Sequence, residues 1–138
     1  MKKPVFILLF FAATFVFSCE KMPVVNCSDC LDNEPIDAEI TVKLDDSAMS
    51  ADILVYEGDI EDNVVFRSIN YTQLGDATVK VPINKKFTFA ATYRYQFMSG
   101  TYTAVDSAFP RVKYDESQCE NPCYYVYDNK VNLVIKYH

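Results

Sequence analysis

The stretch Phe87-Thr-Phe-Ala-Ala-Thr-Tyr-Arg-Tyr-Gln-Phe97 carries the strongest structural pattern in the chain. Along it, an aromatic residue or alanine stands at every second position, and mostly polar residues stand between them. Because successive side chains of a β-strand point to opposite faces of the sheet, this period of two predicts a strand with one buried face. Eleven residues without a break predict that it is the central strand of the fold.

Shorter segments on both sides of this stretch also have the pattern of strands. Residues 36–44 and 76–81 alternate between apolar and polar, and the apolar run at 52–56 predicts a strand buried on both faces. The segment 130–137 is expected to turn four apolar side chains inward. These four are Val131, Leu133, Ile135 and Tyr137. The other strand candidates are 63–69, 101–107, 109–114 and 124–127.

Turn residues separate these candidates, and helical spacing of apolar residues is absent after the N-terminal region. Asp128-Asn129, between 124–127 and 130–137, is a two-residue connection that tolerates positive φ, so it predicts a type I′ hairpin. Roughly seven to nine short strands with turns every ~8–12 residues are typical of an antiparallel sandwich. We therefore expect an all-β sandwich with almost no helix.

The N-terminus has a different character. Lys2 and Lys3 precede an apolar run of fourteen residues at 4–17. A helix needs roughly 20 apolar residues to cross ~30 Å of hydrocarbon, so this run indicates a secretory signal rather than a membrane span. Its end, Val16-Phe17-Ser18-Cys19, resembles the lipobox of bacterial lipoprotein signals. That resemblance implies cleavage before Cys19, lipid on its sulfur and several acyl chains as a stable membrane anchor.

Three segments follow from this interpretation. Residues 1–18 are predicted to be a lipoprotein signal peptide, residues 19–35 a lipidated tether, and residues 36–138 one β-sandwich domain. We expect the protein in the cell envelope, with the outer membrane favoured and the side of the membrane left open. Removing Lys2 and Lys3 with the signal takes the net charge from −6 to −8. An acidic chain repels nucleic acid, so its membrane contact is expected through the lipid on Cys19.

The five cysteines form an odd set until one of them is assigned to lipid. The remaining four, Cys27, Cys30, Cys119 and Cys123, are then expected to form two disulfides. Three pairings are possible. The two long-range pairings are favoured, because closing a loop of about 93 residues gives roughly 4.5 kcal/mol in the chain-entropy model and a local loop gives little.

The same cysteines allow a second interpretation, a four-cysteine zinc site or a redox centre. An oxidising compartment argues against thiolate ligands, so neither metal nor cofactor is expected. Asp59, Glu61 and Asn63 alternate as calcium ligands do, but Val64 and Asn70 break the EF-hand pattern. A solvated acidic turn is the better interpretation.

Catalysis is not expected either. The single histidine is the terminal residue, His138, where fraying prevents accurate positioning of a base. A pair of catalytic carboxylates usually needs a larger cleft than one small sandwich provides. We therefore predict that the chain is not an enzyme.

Tyrosines supply the candidate binding surface. The chain has ten tyrosines and no tryptophan. Exposed tyrosines form flat amphipathic contacts suited to protein or sugar partners, although tyrosine also favours buried strand positions. Six of them lie where a loop or an edge could expose them, and the best candidates are Tyr124, Tyr125 and Tyr127. The other three are Tyr71, Tyr102 and Tyr114.

The lipobox, the short polar tether and strands such as Ala51-Asp-Ile-Leu-Val-Tyr-Glu-Gly58 together resemble the small uncharacterised lipoproteins of Bacteroides-type bacteria. The body, over residues 36–138, resembles the prealbumin-like type of immunoglobulin-like sandwich. This resemblance implies a non-catalytic role and names no ligand. The leading hypothesis is a lipid-anchored envelope protein that binds another envelope protein or gives structural support. The alternatives are a carbohydrate or small-ligand module and, after it, a cysteine-based zinc or redox protein.

Overall fold

The computed structural model describes residues 24–136. Within that range the chain forms nine strands and two single-turn 3₁₀-helices, at Cys27–Asp29 and Ile60–Asp62. The strands are β1 (Asp37–Lys43), β2 (Ser50–Glu57), β3 (Val65–Tyr71), β4 (Asp76–Pro82), β5 (Phe87–Arg94), β6 (Tyr102–Ala108), β7 (Arg111–Asp115), β8 (Cys123–Tyr127) and β9 (Lys130–Asn132). The prediction of an all-β sandwich with almost no helix is confirmed.

The strands form three sheets. The order is β4-β1-β9 in the first, β3-β2-β5-β6 in the second and β7-β8 in the third. The first two sheets enclose one hydrophobic core, to which both contribute alternate residues. Its fully buried side chains include Ile40, Val42, Ile53, Val55, Val79, Val81, Phe87, Phe89, Tyr93 and Leu133.

Strand β5 is the central strand that its sequence predicts, since it lies between β2 and β6. Phe87, Phe89, Ala91 and Tyr93 are all fully buried on its inner face. It ends at Arg94 rather than at residue 97, because β2 begins opposite Arg94 and β6 begins opposite Tyr93. Beyond these partners the alternation has no sheet to join, and Phe97 is exposed.

Strand β2 is buried on one face only, so the prediction of burial on both faces is wrong. Ala51, Ile53 and Val55 are buried in the core, whereas Asp52 and Leu54 face solvent. The apolar Leu54 on this outer face remains 37% exposed.

The predicted hairpin at Asp128-Asn129 is also wrong, because β8 and β9 belong to different sheets. β8 pairs with β7, and β9 pairs with β1 in parallel, which departs from the antiparallel pairing of the other strands in the described residues. Asp128 does adopt positive φ, at 55°. That conformation bends the chain from one sheet into the other, a device known at the corners of sandwiches.

Hydrogen bonds hold this crossing in place. The Thr41 amide donates to the Asn129 carbonyl at 2.9 Å, and the Asn129 side chain donates to the Glu39 carbonyl at 3.1 Å. The Phe109 amide donates to the Asp128 carboxylate at 3.3 Å. The strand pairing between β9 and β1 begins at Thr41.

Some sequence predictions lie outside the described residues. The signal at 1–18, the lipidation of Cys19 and the inward side chain of Tyr137 belong to this group. Across residues 24–136, none of the helices has the length and apolar character needed to span a bilayer.

Candidate functional site

Two disulfides join the N-terminal segment to the loop before β8. Cys27 is bonded to Cys119, and Cys30 is bonded to Cys123. The long-range pairing favoured from the sequence is thus confirmed. The two bridges touch, since the sulfurs of Cys30 and Cys119 lie 3.5 Å apart.

The cysteine sulfurs are the one cluster in the described chain that has the spacing of metal ligands. Zinc requires free thiolates, and here each sulfur is committed to a disulfide. In its oxidised form this cluster is therefore a pair of structural disulfides.

The two disulfides hold the N-terminal segment against β8. The backbones of Leu31 and Tyr124 exchange two hydrogen bonds of 2.9 Å, and the Val25 amide donates to the Gln118 side chain at 3.1 Å. Val25 is buried, although Val24 beside it is almost fully exposed. The segment predicted as a tether is therefore held against the sandwich at Val25 and Leu31, as the expected disulfides to the C-terminal region imply.

A cleft of about 800 Å³ lies between this segment, the first half of β1 and β8. It arises because β9 pairs with β1 only from Thr41 onward, and β8 before it pairs with β7, so the first half of β1 and β8 are not joined as strands. The principal apolar lining residues are Val24, Val25, Leu31, Ala38, Tyr125, Val126 and Tyr127. In size, this cleft lies within the usual range of a binding site, ~300–1,000 Å³.

Two tyrosines of β8 line the cleft. Tyr125 is buried, with 5% of its surface exposed, and its hydroxyl has no hydrogen-bond partner among the described residues. Tyr127 is half-buried, and its ring centroid lies 6.3 Å from that of Tyr125. An unpaired buried hydroxyl is rare in proteins, which marks Tyr125 as the polar group in this region that still needs a partner.

The sequence prediction of one exposed surface formed by Tyr124, Tyr125 and Tyr127 is corrected by this placement. Tyr124 lies on the opposite face of β8 and packs on Tyr114, with ring centroids 4.9 Å apart. The sequence contained the signal for this separation, because neighbouring residues of a strand face opposite ways. The burial of Tyr125 was not visible in that local pattern.

The other tyrosine candidates do not join the cleft. Tyr71 is half-buried against the core, and Tyr102 packs edge-on against Tyr95 with centroids 5.6 Å apart. They lie on β3 and β6, at the two edges of the four-stranded sheet. Neither strand lines the cleft.

The rim of the cleft is acidic. Asp29, Asp37, Glu39 and Asp128 line it against one cation, Lys130. Asp37 also forms an exposed ion pair with Lys80, at 3.3 Å. The remaining carboxylates give the cleft a negative potential, in keeping with the acidic chain.

The acidic turn considered as a calcium site has other contacts. Asp59 accepts a hydrogen bond from Lys86, and the Asp62 carboxylate accepts one from the Asp59 amide at 3.2 Å. No group of three carboxylates in the described residues gathers its oxygens as a metal site would. A shallow cavity of about 330 Å³ beside this turn also contains Lys86, a cation that opposes metal binding.

A polar network between the β1–β2 turn, β5 and the segment after β9 was not predicted. The Tyr93 hydroxyl donates to the Leu133 carbonyl and accepts from the Asp45 amide, while Tyr95 donates to the Asp45 carboxylate at 2.9 Å. Burial raises the pKa of Tyr93. Burial also acts to raise the pKa of Asp45, but the hydrogen bonds from Ser47 and Tyr95 outweigh it and leave that pKa below its usual value.

A second carboxylate shapes the cystine loop. Asp115 accepts hydrogen bonds from the backbone amides of Gln118 and Ser117, at 2.7 and 2.8 Å. These bonds favour the charged form and lower the pKa of Asp115. Asp115 thus fixes the turn that presents Cys119 to Cys27.

Comparison with protein-family models, with curated proteins and with solved structures found no match to this chain. The cleft and its surrounding charges therefore carry the functional interpretation.

Proposed function

We propose that the protein is a non-catalytic, lipid-anchored component of the cell envelope whose β-sandwich binds another envelope protein. The observation that carries the proposal is the cleft between β1 and β8, which combines an apolar floor with an acidic rim. Protein-binding surfaces commonly have an apolar centre, enriched in tyrosine, inside a polar rim. The tyrosines of β8 and the carboxylates of β1 and Asp128 have this arrangement.

The anchor in this proposal is the lipid expected on Cys19. Only seven residues separate Cys19 from Cys27, which is bonded to the body. Eight Cα–Cα steps join the two cysteines, so the fully extended segment reaches about 28 Å at ~3.5 Å per residue. A lipid on Cys19 would thus hold the disulfide end of the sandwich, and the cleft beside it, close to the membrane surface.

Crosslinking in intact cells tests the binding function. We expect one reproducible protein partner joined to the wild-type chain, and a fall in its yield when the cleft carries Tyr127→Lys. Leu54→Lys, on the exposed outer face of the four-stranded sheet, is the matched control and is expected to keep the partner. Failure to recover a reproducible protein partner would contradict the proposal.

A carbohydrate or small ligand is the second candidate for the same cleft. It is favoured by the half-buried ring of Tyr127 in the cleft, since tyrosine rings stack on sugars. A glycan array with wild type and Tyr127→Ala separates the two candidates. Saturable glycan binding that Tyr127→Ala abolishes would favour the sugar, and an empty array would favour the protein partner.

A further inference from the structure

The cleft is bordered by an unpaired edge of β1. β1 pairs with β4 along its whole length, but β9 pairs only with Thr41–Lys43. The Thr41 amide points toward β9, and backbone groups of a strand point the same way at every second residue. The backbone of Glu39 therefore faces the cleft, where no described strand lies beside it and the Asn129 side chain binds its carbonyl.

The second border is an unpaired edge of β8. One edge pairs with β7, and the other is met by the N-terminal segment at Tyr124 alone. The backbone groups of Tyr124 point toward Leu31, on the edge of β8 that faces away from β7. By the same alternation, the amide and carbonyl of Val126 point to that edge too. Val126 also lines the cleft, so this edge opens into it.

Open strand edges are templates for another strand, and folded proteins usually cover or blunt them. An extended peptide that adds to such an edge gains backbone hydrogen bonds and places alternate side chains into the adjoining pocket. Here the pocket supplies apolar contacts from Tyr125 and Tyr127, and acidic groups stand around it. The cleft therefore favours a peptide that offers free backbone hydrogen-bonding groups, apolar side chains and positive charge.

We propose that the cleft accepts one extended, positively charged segment of a partner protein, which pairs with the open edge of β8 as an added strand. This inference rests on the proposed protein-binding function and names the form in which the partner is recognised. Apolar side chains of the segment pack on the tyrosine floor, and its lysines or arginines face Asp37, Glu39 and Asp128. An acidic or a helical segment does not satisfy these contacts.

A fluorescent nine-residue peptide of alternating lysine and valine tests this recognition with the purified, oxidised chain. We expect saturable binding by fluorescence anisotropy. The same peptide with alternate backbone nitrogens methylated keeps its charge but cannot pair as a strand, so we expect at least tenfold weaker binding. Equal binding of both peptides would overturn the strand-addition proposal, because charge attraction alone would then explain the result.

Val126→Pro provides the matching change on the protein. It removes the amide on the open edge and leaves the Tyr125 and Tyr127 amides that face β7, so proline is tolerated there as on other edge strands. We expect at least a tenfold loss of peptide binding. If this variant does not fold, the methylated peptide still decides the question.

Two substitutions test the role of the acidic rim of the cleft. Glu39→Gln is expected to weaken binding of the lysine-valine peptide two- to fivefold. Glu61→Gln, on the exposed 3₁₀-helix outside the cleft, is expected to leave this binding unchanged. An equal effect of the two variants would show attraction to the overall charge and would overturn the assignment to this cleft.

A photo-crosslinking residue placed in cells separates this inference from the function on which it rests. At Lys130, which lines the cleft, we expect a partner joined through a lysine- or arginine-containing segment. A partner joined only from Val105, on the outer face of the four-stranded sheet, would overturn strand addition and leave protein binding standing. No partner from either position would contradict both.

Discussion

The hydroxyl of Tyr93 donates a hydrogen bond of 2.8 Å to the backbone carbonyl of Leu133 inside the core. The bond joins the central strand of the four-stranded sheet to the residue that follows β9 in the other sheet. The same hydroxyl accepts a bond of 3.2 Å from the Asp45 amide. One side chain therefore satisfies two backbone groups, from the β1–β2 turn and the C-terminal segment.

The first prediction concerns this hydroxyl. Tyr93→Phe leaves the buried Leu133 carbonyl and Asp45 amide without their partner, so we expect a loss of about 1–3 kcal/mol in the free energy of unfolding. Urea denaturation measures it. Tyr102→Phe, at a more exposed position, is the control and should change stability by less than ~0.5 kcal/mol. Equal effects of the two substitutions would contradict the role assigned to Tyr93.

The second prediction concerns Asp45 and acid. Its pKa is lowered in the folded chain, so the folded state favours the charged carboxylate and the unfolded state takes up its proton first. The stability that Asp45 contributes is present above the unfolded pKa of ~3.9 and is lost as the pH falls through the lower folded pKa. Asp45→Asn should therefore be less stable than wild type at pH 7.

The difference between wild type and Asp45→Asn should narrow steadily from about pH 5 to pH 2. Denaturation midpoints across this range measure it. Exposed Asp46, beside it in the sequence, gives the matched control, because Asp46→Asn should change stability at pH 7 by less than ~0.5 kcal/mol. A constant gap between wild type and Asp45→Asn would show that the charge of Asp45 is not what stabilises the fold.

The third prediction concerns the pairing of the cysteines. A trypsin digest cannot distinguish the two long-range pairings, because Cys27 and Cys30 share one peptide and Cys119 and Cys123 share another. Cleavage after Asp29 and Glu120 separates all four. We expect non-reduced fragments joining Cys27 to Cys119 and Cys30 to Cys123. Fragments joining Cys27 to Cys123 would refute the pairing, and four free thiols would reopen the zinc interpretation.

Removing these bridges should also destabilise the fold in a non-additive way. Deleting both pairs opens a loop of 92 to 93 residues and should cost roughly 4.5 kcal/mol, whereas deleting one pair leaves that loop closed and should cost much less. Serine double variants compared with the quadruple variant by urea denaturation measure this. Equal costs for each pair, adding to the total, would contradict the idea that the two bridges close one loop.

The fourth prediction concerns the anchor. Cells grown with labelled palmitate should incorporate the label into wild type and lose it in Cys19→Ala, since the thioether requires that sulfur. In cell fractionation, the variant should be lost from the membrane fraction. A Cys19→Ala chain that still carries the label would refute lipidation at this residue.

The sequence predicted what depends on local pattern. The alternation around Phe87 and Phe89 identified the central strand, because burial on one face of a strand requires a period of two. The even number of cysteines left after Cys19 indicated two bridges. Local pattern also placed positive φ at Asp128, which the structure confirms.

What the sequence could not predict depends on partners distant in the chain. Positive φ at Asp128 suits a hairpin and a bend between sheets equally well, and the choice is decided by β1 and β7, more than ten residues away. The same holds for the cleft, which needs Val25 and Leu31 to be carried onto β8 by the disulfides.

Crosslinking in intact cells is the measurement that tests the central claim most directly. With a photo-crosslinking residue at Lys130, the wild-type chain is expected to join one reproducible envelope protein, and the yield should fall at least tenfold with Cys19→Ala, because an unanchored chain no longer meets its partner. Recovery of no reproducible protein partner would contradict the account.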